Sequence, residues 1–296
     1  MRLVFTENLH GLALPSRHRF PVSKYGRIVA TLEAEHPTLL QVGVAASGDD
    51  LRLVHGAEYV AAVEQGTLST TEIRRLGFPW SDALVTRSRR SVGGTLTALA
   101  WAMQTGAAGH VAGGTHHAFR DRGEGFCVFN DIAIAVEAAR RDHGVERIAV
   151  IDLDVHQGNG TASIFEGDPS VFTLSIHNAH NYPFRKETSS LDVALPDGVT
   201  DEPYLRALAA ALERVRAHRP QLVIYQAGVD GLAGDRLGRM ALSHRGLSRR
   251  DRAVFELVRS MAVPLVVTLG GGYHPAIEPS VEAHCNVYRE LVRMLP

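Results

Sequence analysis

The residues whose types and spacing are most suited to chemistry lie in Ile148–Gly160, where an apolar run ends in Asp152, Asp154 and His156. An unbroken apolar run of this kind is typical of a strand buried on both faces. Acids and imidazoles are stable there when they are paired, hydrogen-bonded or bound to a metal. Because Asp154 and His156 are two positions apart, an extended backbone points both side chains the same way. The spacing therefore predicts either two ligands of a metal site or residues that cap the following turn and helix.

Polar side chains also follow four other apolar segments, each at the point where a strand is expected to end. They are His116-His117 after a strand signal at 110–112, His177 after 171–176, Asp230 after 222–226 and Tyr273 after 264–269. Helical patterns alternate with these strands, which predicts an α/β fold of three layers (αβα) around a central, mainly parallel sheet. Ligands bind at the carboxyl ends of the strands in such sheets. We therefore expect these side chains to meet on one rim.

Asp230 is the natural third ligand beside Asp154 and His156. Two carboxylates and one imidazole leave a coordination position open for water or substrate, as in catalytic zinc sites. Such a metal polarises a carbonyl group and lowers the pKa of bound water to about 7. A hydrolytic metal site is therefore one interpretation of the three residues. The alternative for Asp230 is a cap of the turn that begins at Gly231.

His116 and His117 are candidates for proton transfer, with Asp152 and Asn159 as the groups that orient them. An aspartate partner favours an imidazolium, whereas an asparagine partner holds a histidine without that bias. Tyr273, on a glycine-rich turn, could place its phenol against a developing oxyanion. Together these groups predict a hydrolase for an unactivated carbonyl such as an amide.

Each of these motifs also has a structural interpretation. The two histidines could be ordinary loop residues, and Gly270–Gly272 could be only a tight turn, since no Lys-Ser/Thr follows to make a phosphate cradle. Cys127 is expected to be a small packed residue rather than a nucleophile. Five sequence-distant segments that bring His, Asp and Tyr to one rim are difficult to explain by capping alone.

Composition excludes several classes of protein. The chain has 296 residues, and 45% of them are hydrophobic. Its net charge of −1 shows no excess of basic residues that would indicate nucleic-acid binding. We expect the arginine clusters at 87–90 and 249–252 to form solvated helix faces, and His55 to lie on the surface. Two cysteines make no disulfide framework, which predicts a reducing, cytoplasmic location. Without repeats, linkers, a signal peptide or a membrane span, residues 1–296 are expected to form a single domain.

Taken together, the motifs resemble those of the zinc-dependent histone deacetylase family, which has the arginase–deacetylase fold. They occur in the family's order over roughly residues 110–275, and the chain is most similar to the small class IV-like and bacterial members. The matching segments are Gly113-Gly114-Thr115-His116-His117-Ala118, Gly125-Phe126-Cys127-Val128-Phe129-Asn130-Asp131, Asp152-Leu153-Asp154-Val155-His156-Gln157-Gly158-Asn159-Gly160, Ser175-Ile176-His177, Gly228-Val229-Asp230 and Gly270-Gly271-Gly272-Tyr273.

The resemblance implies a role for each matching residue. One catalytic Zn²⁺ would be bound by Asp154, His156 and Asp230. His117, paired with Asn159, would be the general base and acid. His116, paired with Asp152, would be an electrostatic partner. Tyr273 would bind the carbonyl oxygen. An acyl-lysine tunnel would be lined by Gly125, Phe126, Tyr182 and Gly271. A structural monovalent cation, K⁺ in this family, would be held by Asp152, Asp154, His156, Ser175 and the backbone of Ile176.

The sequence also departs from the family pattern. Position 159 is Asn where many eukaryotic class I members have Asp, and Gln157 replaces a common second histidine. No residue matches the rim aspartate that grips the backbone of peptide substrates. The favoured substrate is therefore an Nε-acyl-lysine in a protein or peptide, with a small acylated amine such as an acetylpolyamine as the alternative. A polyamine site needs acids at the tunnel mouth, for which Glu124 and Glu187 are the candidates.

Two further alternatives are disfavoured. A binuclear manganese ureohydrolase needs extra aspartates, but Gln157, Gly158 and Asn159 follow His156. A catalytically inactive binding scaffold would have lost Tyr273 or a metal ligand, and all are present. The sequence predicts neither a nucleic-acid nor a membrane partner. It leaves open the acyl-chain preference, the oligomeric state and the choice between Zn²⁺ and Fe²⁺.

Overall fold

The computed structural model describes residues 1–6 and 12–295. A parallel eight-stranded sheet forms its centre, with the order β2-β1-β3-β8-β7-β4-β5-β6. The strands are β1 Arg2–Phe5, β2 Leu40–Val42, β3 Ala107–His110, β4 Ile148–Asp152, β5 Val171–Asn178, β6 Leu191–Leu195, β7 Leu222–Gln226 and β8 Leu265–Thr268. The predicted central parallel sheet is confirmed, since every strand pairing is parallel.

Helices flank this sheet, as the alternating pattern predicts. They are α1 Ser23–Glu35, α2 Gly48–Arg52, α3 Ala57–Gln65, α4 Thr70–Leu76, α5 Asp82–Thr105, α6 Asp131–His143, α7 Asn159–Ile164, α8 Asp201–His218, α9 His244–Met261 and α10 Glu278–Met294. Within residues 1–6 and 12–295, no helix is long and apolar enough to cross a lipid bilayer.

The central strands are buried on both faces. All five residues of β4 and of β7 are buried, as are the four of β8. Their Val, Ile, Leu and Ala side chains fill the space between the sheet and the helices, which explains the continuous apolar runs in the sequence. The strand β4 lies between β5 and β7, so its carboxyl end opens at the middle of the rim.

One predicted boundary is wrong. The strand signal at 110–112 belongs to β3, which begins at Ala107 and ends at His110. Helix α9 begins at His244, after the cap residue Ser243. In that cap, Ser243 accepts a hydrogen bond from the amide of Gly246, so the hydroxyl replaces a missing helical partner.

Three residues expected on the surface are buried: Arg87, Arg250 and His55. The Arg250 side chain pairs with Asp251 at 2.8 Å. Its Nη1 donates to the carbonyl oxygens of Leu153 and Gly228, at 3.3 and 2.6 Å. These carbonyls belong to the loops that follow β4 and β7. The guanidinium therefore joins helix α9 to the two loops that carry Asp154, His156 and Asp230.

Candidate metal centre and proton-transfer site

Asp154, His156 and Asp230 meet just beyond the carboxyl ends of β4 and β7. These strands are neighbours, with Asp152 opposite Gln226 in register. One potential ligand atom from each of the three residues lies within 4.8 Å of the others, and all three residues are buried. The structure thus brings together the three side chains that the sequence singled out.

Fixed hydrogen bonds aim the two carboxylates. Asp154 Oδ2 accepts from the amide of Gly271 at 2.7 Å and from the side-chain amide of Gln226 at 3.2 Å. Asp230 Oδ1 accepts from the amide of Val155 at 2.9 Å. The remaining oxygens face His156, whose Nδ1 lies 2.9 Å from Asp154 Oδ1 and 3.1 Å from Asp230 Oδ2.

This cluster has a strong preference for positive charge. Burial disfavours a protonated His156, but its contacts with Asp154 and Asp230 more than offset that cost and raise its pKa to about 10. Burial and the charge of Asp154 raise the pKa of Asp230 to about 7. A divalent cation satisfies buried carboxylates of this kind. Two carboxylate donors and one imidazole nitrogen fit Zn²⁺ with one coordination position left open.

Gly271 packs directly on the cluster. A Cβ atom at this position would lie 1.9 Å from Asp230 Oδ2 and 2.8 Å from Asp154 Oδ2, so only glycine fits. Its amide can therefore reach Asp154. Gly271, predicted to line the tunnel, lies against the candidate metal cluster and lines the adjoining cavity.

His116 and His117 lie beside the cluster, each with its predicted partner. His116 Nδ1 is 2.6 Å from Asp152 Oδ2, and His117 Nδ1 is 2.7 Å from Asn159 Oδ1. The two rings are 4.1 Å apart, and His117 makes an edge contact with the ring of His156 at 6.0 Å between centroids. Proton-transfer groups and candidate ligands therefore share one small volume.

The two adjacent histidines have opposite electrostatic properties. Burial disfavours a protonated His116, but the charge and hydrogen bond of Asp152 outweigh it and raise its pKa. Burial and the neighbouring charges of His116 and His156 hold the pKa of His117 well below its usual value. The shifts favour the cationic form of His116 and the neutral form of His117, the difference expected from an aspartate and an asparagine partner.

The loop before these histidines is held from below by Asp131, the first residue of α6. Asp131 accepts hydrogen bonds from the amides of Gly114 and Thr115, at 3.1 and 2.7 Å. The hydroxyls of Thr95 and Thr115 also donate to it, each at 2.5 Å. Asn130 caps the helix, because its Oδ1 accepts from the amide of Ala133. The segment 125–131 thus supports the catalytic loop as well as beginning a helix.

Tyr273 faces the cluster from the turn after β8. The amide of Tyr273 donates to Asp235 Oδ2 at 2.6 Å. Beneath the turn, the buried Lys24 donates to the carbonyl oxygen of Gly270 at 3.1 Å. Burial and the charges of Asp230 and Asp154 raise the pKa of the phenol well above 10. Tyr273 therefore keeps its proton and can donate a hydrogen bond.

An outer groove of about 480 Å³ leads to an inner cavity of about 40 Å³. The two spaces share the lining residues His117, Gly125, Phe126, His156 and Tyr273. The structure places the predicted wall residues Gly125, Phe126 and Tyr182 around the groove. Gly125 has a positive φ of 56°, and a Cβ there would lie 2.6 Å from the His117 ring. The wall can therefore approach the candidate base closely.

Of the residues predicted to hold K⁺, Asp154 and His156 belong to the candidate metal cluster, and the others lie on the neighbouring strands β4 and β5. Ser175 is opposite Asp152 in the β4–β5 register, and both are buried. Its hydroxyl lies 2.9 Å from His177 Nδ1. Ile176 continues the same buried strand. The oxygen atoms of Asp152 and Ser175 suit a hard monovalent cation, and the K⁺ site stays a prediction.

The motifs did not single out several residues that support the site. Gln226 ends β7 and donates to Asp154, so the rule that pointed to Asp230 could also have found it. Gln157 binds the backbone of Glu187 through both ends of its amide and thereby fixes the loop that carries Tyr182. Glu124 and Lys24 act through contacts distant in sequence, which no spacing rule indicates.

Comparisons with known proteins agree with this geometry. A histone deacetylase domain matches residues 18–288. The chain is 42% identical over 287 residues to an uncharacterised protein of Picosynechococcus sp., covering 93% of each. It is 34% identical over 276 residues to histone deacetylase 2 of Arabidopsis thaliana, covering 88% of this chain and 71% of the relative. A crystal structure of an HDAC homolog complexed with SAHA superposes with a TM-score of 0.85 at 26% identity, covering 98% of this chain and 83% of that one. The chain belongs to the histone deacetylase family of hydrolases.

Proposed function

We propose that the protein hydrolyses the amide bond of Nε-acyl-lysine with the help of one bound Zn²⁺. The observation that supports this most directly is the convergence of the Asp154-His156-Asp230 cluster, a neutral His117 and a protonated Tyr273 around one cavity. Amide hydrolysis needs an electrophilic centre, a base and an oxyanion donor, and each has a candidate here.

A Zn²⁺ ion held by Asp154, His156 and Asp230 would act as a Lewis acid on the acyl carbonyl and activate water near neutral pH. His117 accepts the proton of the attacking water at Nε2, because its Nδ1 faces Asn159. The same nitrogen then returns the proton to the leaving amine. Cationic His116 stabilises negative charge beside it, and Tyr273 donates to the developing oxyanion. K⁺, held near Asp152 and Ser175, would have a structural role.

The groove favours an uncharged or acidic substrate over a polycation. Its lining includes four exposed arginines, and none of its described lining residues is acidic; the arginines are Arg19, Arg75, Arg236 and Arg239. Glu124 is only 8% exposed and is bonded to Asn159 and Tyr182. Glu187 does not line the groove. The acids that an acetylpolyamine would need are therefore missing from the described mouth, and peptide acyl-lysine is the better candidate.

The inner cavity also bears on the acyl group. About 40 Å³ lies beyond the shared lining residues, and this volume suits acetyl better than a long acyl chain. We therefore propose acetyl-lysine, or lysine with another short acyl group, as the substrate.

The test is acid release from acetyl-, butyryl-, octanoyl- and myristoyl-lysine peptides and from acetylated polyamines. Each reaction is run with and without a strong chelator, followed by addition of Zn²⁺. We expect turnover of short acyl-lysine peptides that the chelator abolishes and Zn²⁺ restores. Turnover of polyamines alone would overturn the peptide assignment while leaving the chemistry intact. No turnover of any substrate by the zinc-loaded protein would contradict the proposed function.

A further inference from the structure

Glu124 contacts the candidate base through an intermediate residue. Its Oε1 accepts hydrogen bonds from Asn159 Nδ2 and from the hydroxyl of Tyr182, both at 2.7 Å. Its other oxygen, Oε2, lies 3.8 Å from Arg122 Nε. This buried carboxylate thus faces polar partners with both oxygens, and it is not among the residues that line the groove.

We propose that Glu124 is a positioning residue that selects the tautomer of His117 through Asn159. This inference rests on the function proposed above. An ionised carboxylate only accepts hydrogen bonds. It therefore turns the NH₂ group of Asn159 towards itself and leaves the amide oxygen facing His117. That oxygen also only accepts, so His117 Nδ1 must bear the proton and Nε2 keeps its lone pair for the reaction.

The arrangement separates orientation from charge. Asp152 contacts His116 directly, which favours the imidazolium form. The negative charge near His117 is one residue further away, because a neutral amide stands between the ring and Glu124. His117 is thus oriented by a charge-assisted network without direct contact with a carboxylate. This suits a group that must begin the reaction as a base.

The same carboxylate also fixes the tunnel wall. Tyr182 donates to Glu124 and makes an edge contact with the ring of His117, at 5.1 Å between centroids. The turn that carries Glu124 is closed by reciprocal backbone hydrogen bonds with Cys127, at 3.1 and 2.9 Å. Glu124 therefore sets the relative position of the base and of one wall of the substrate groove.

The first experiment compares Glu124→Ala, Glu124→Gln and Tyr182→Phe in the zinc-loaded full chain. Loss of such a supporting group costs about 10–100-fold in activity, and we expect Glu124→Ala to lower kcat in that range. Glu124→Gln should retain an intermediate rate, since its amide oxygen can still accept from Asn159. Tyr182→Phe removes only the second bond and keeps the contact with Asn159, so it should lower kcat less than Glu124→Ala does. An unchanged kcat in Glu124→Ala would overturn the proposal.

A second pair of variants separates positioning from stability. Asn159→Asp alone brings two carboxylates into hydrogen-bond contact, so it should impair turnover. When Glu124→Gln is combined with Asn159→Asp, the new amide donates to the new carboxylate, which in turn accepts from His117 Nδ1. We expect this double variant to be more active than Asn159→Asp alone. A double variant with no recovery would contradict the proposal, even where Glu124→Ala does not fold.

The tautomer can be measured directly. The ¹⁵N chemical shifts of His117, assigned by their loss in His117→Ala, distinguish a proton on Nδ1 from one on Nε2. We expect the Nδ1–H form in the wild type and a mixture in Glu124→Ala. A pure Nδ1–H form in both would refute the inference. This result does not depend on turnover, so it is distinct from failure of the proposed function.

Discussion

The floor and the mouth of the pocket are built in opposite ways. The floor comprises His116, His117, Asp152, Asp154, His156 and Asp230, all buried and each bonded to a neighbouring side chain. The mouth comprises Arg19, Arg75, Arg236 and Arg239, all exposed and contributed by three separate segments of the chain. We therefore expect the reaction to depend on the residues that follow the strand ends, and the choice of substrate on the segments that surround them.

Solvent determines how much each region contributes. Charges on the floor interact in a medium of low dielectric constant, where the loss of one partner leaves another charge uncompensated. Charges at the mouth are screened by water, and an exposed ion pair contributes about 0–1 kcal/mol. Changes on the floor should therefore alter rates by orders of magnitude, and changes at the mouth by small factors.

Removal of a metal ligand should have the largest effect. We expect Asp230→Ala to lose bound zinc and all turnover, because two ligands remain and Val155 loses the partner of its amide. Metal content by mass spectrometry and activity after dialysis measure both effects. Asp142→Ala, an exposed acid far from the pocket, should retain zinc and activity. A fully occupied Asp230→Ala protein would disprove the ligand assignment.

The two floor histidines should differ in kind. His117→Ala removes the neutral base and should lower kcat by the ~10²–10⁴-fold typical of general base catalysis, with zinc retained. His116→Ala removes a positive charge but leaves the base in place, so we expect the smaller loss. Steady-state kinetics and metal analysis of both variants test the comparison. A greater loss in His116→Ala would assign the base to the other ring.

Tyr273 lines both the inner cavity and the groove. A variant at this position therefore shows whether the residue acts in catalysis, like the floor, or in substrate binding, like the mouth. Tyr273→Phe keeps the ring and removes the donor, and we expect kcat to fall by ~10²–10³-fold, as for one oxyanion donor. The KM should change little, because the phenol acts mainly in the transition state. A raised KM at constant kcat would instead make Tyr273 a substrate-binding residue.

The same contrast explains what could be predicted from the sequence. The central strands are continuous apolar runs, and Asp154, His156 and Asp230 follow two of them directly, so the strand ends pointed to the candidate ligands. Arg250 looked like one member of a solvated arginine cluster. In the structure its guanidinium donates to the carbonyl oxygens of Leu153 and Gly228, in the loops that follow β4 and β7, a tertiary relation that helical spacing does not contain.

Glu124, which lies close to the floor, shows the same limit of prediction from sequence. It was considered only as an acid at the mouth, because its neighbours in sequence lie in the tunnel wall. The structure turns its side chain inward to Asn159, which is 35 residues away. The role of a side chain that acts through distant partners can be inferred only when the fold is known. Candidate metal ligands at strand ends can be recognised from the sequence pattern.

The smallest expected effect is at the mouth and concerns Arg236. We expect Arg236→Glu to raise the KM for an acyl-lysine peptide with acidic flanks by up to about fivefold, since an exposed ion pair contributes at most about 1 kcal/mol. The same variant should lower the KM for an acetylated polyamine. The kcat should not change for either substrate, because Arg236 does not line the inner cavity.

Arg214→Glu is the matched control for this prediction. It reverses an equivalent charge on the exposed face of helix α8, away from the groove. The two variants have the same net charge, so only an effect local to the mouth can separate them. The difference should shrink in 1 M NaCl, where screening acts over about 3 Å. Equal KM values for both variants would show that the mouth arginines do not select the substrate, and the contrast between floor and mouth would then concern burial alone.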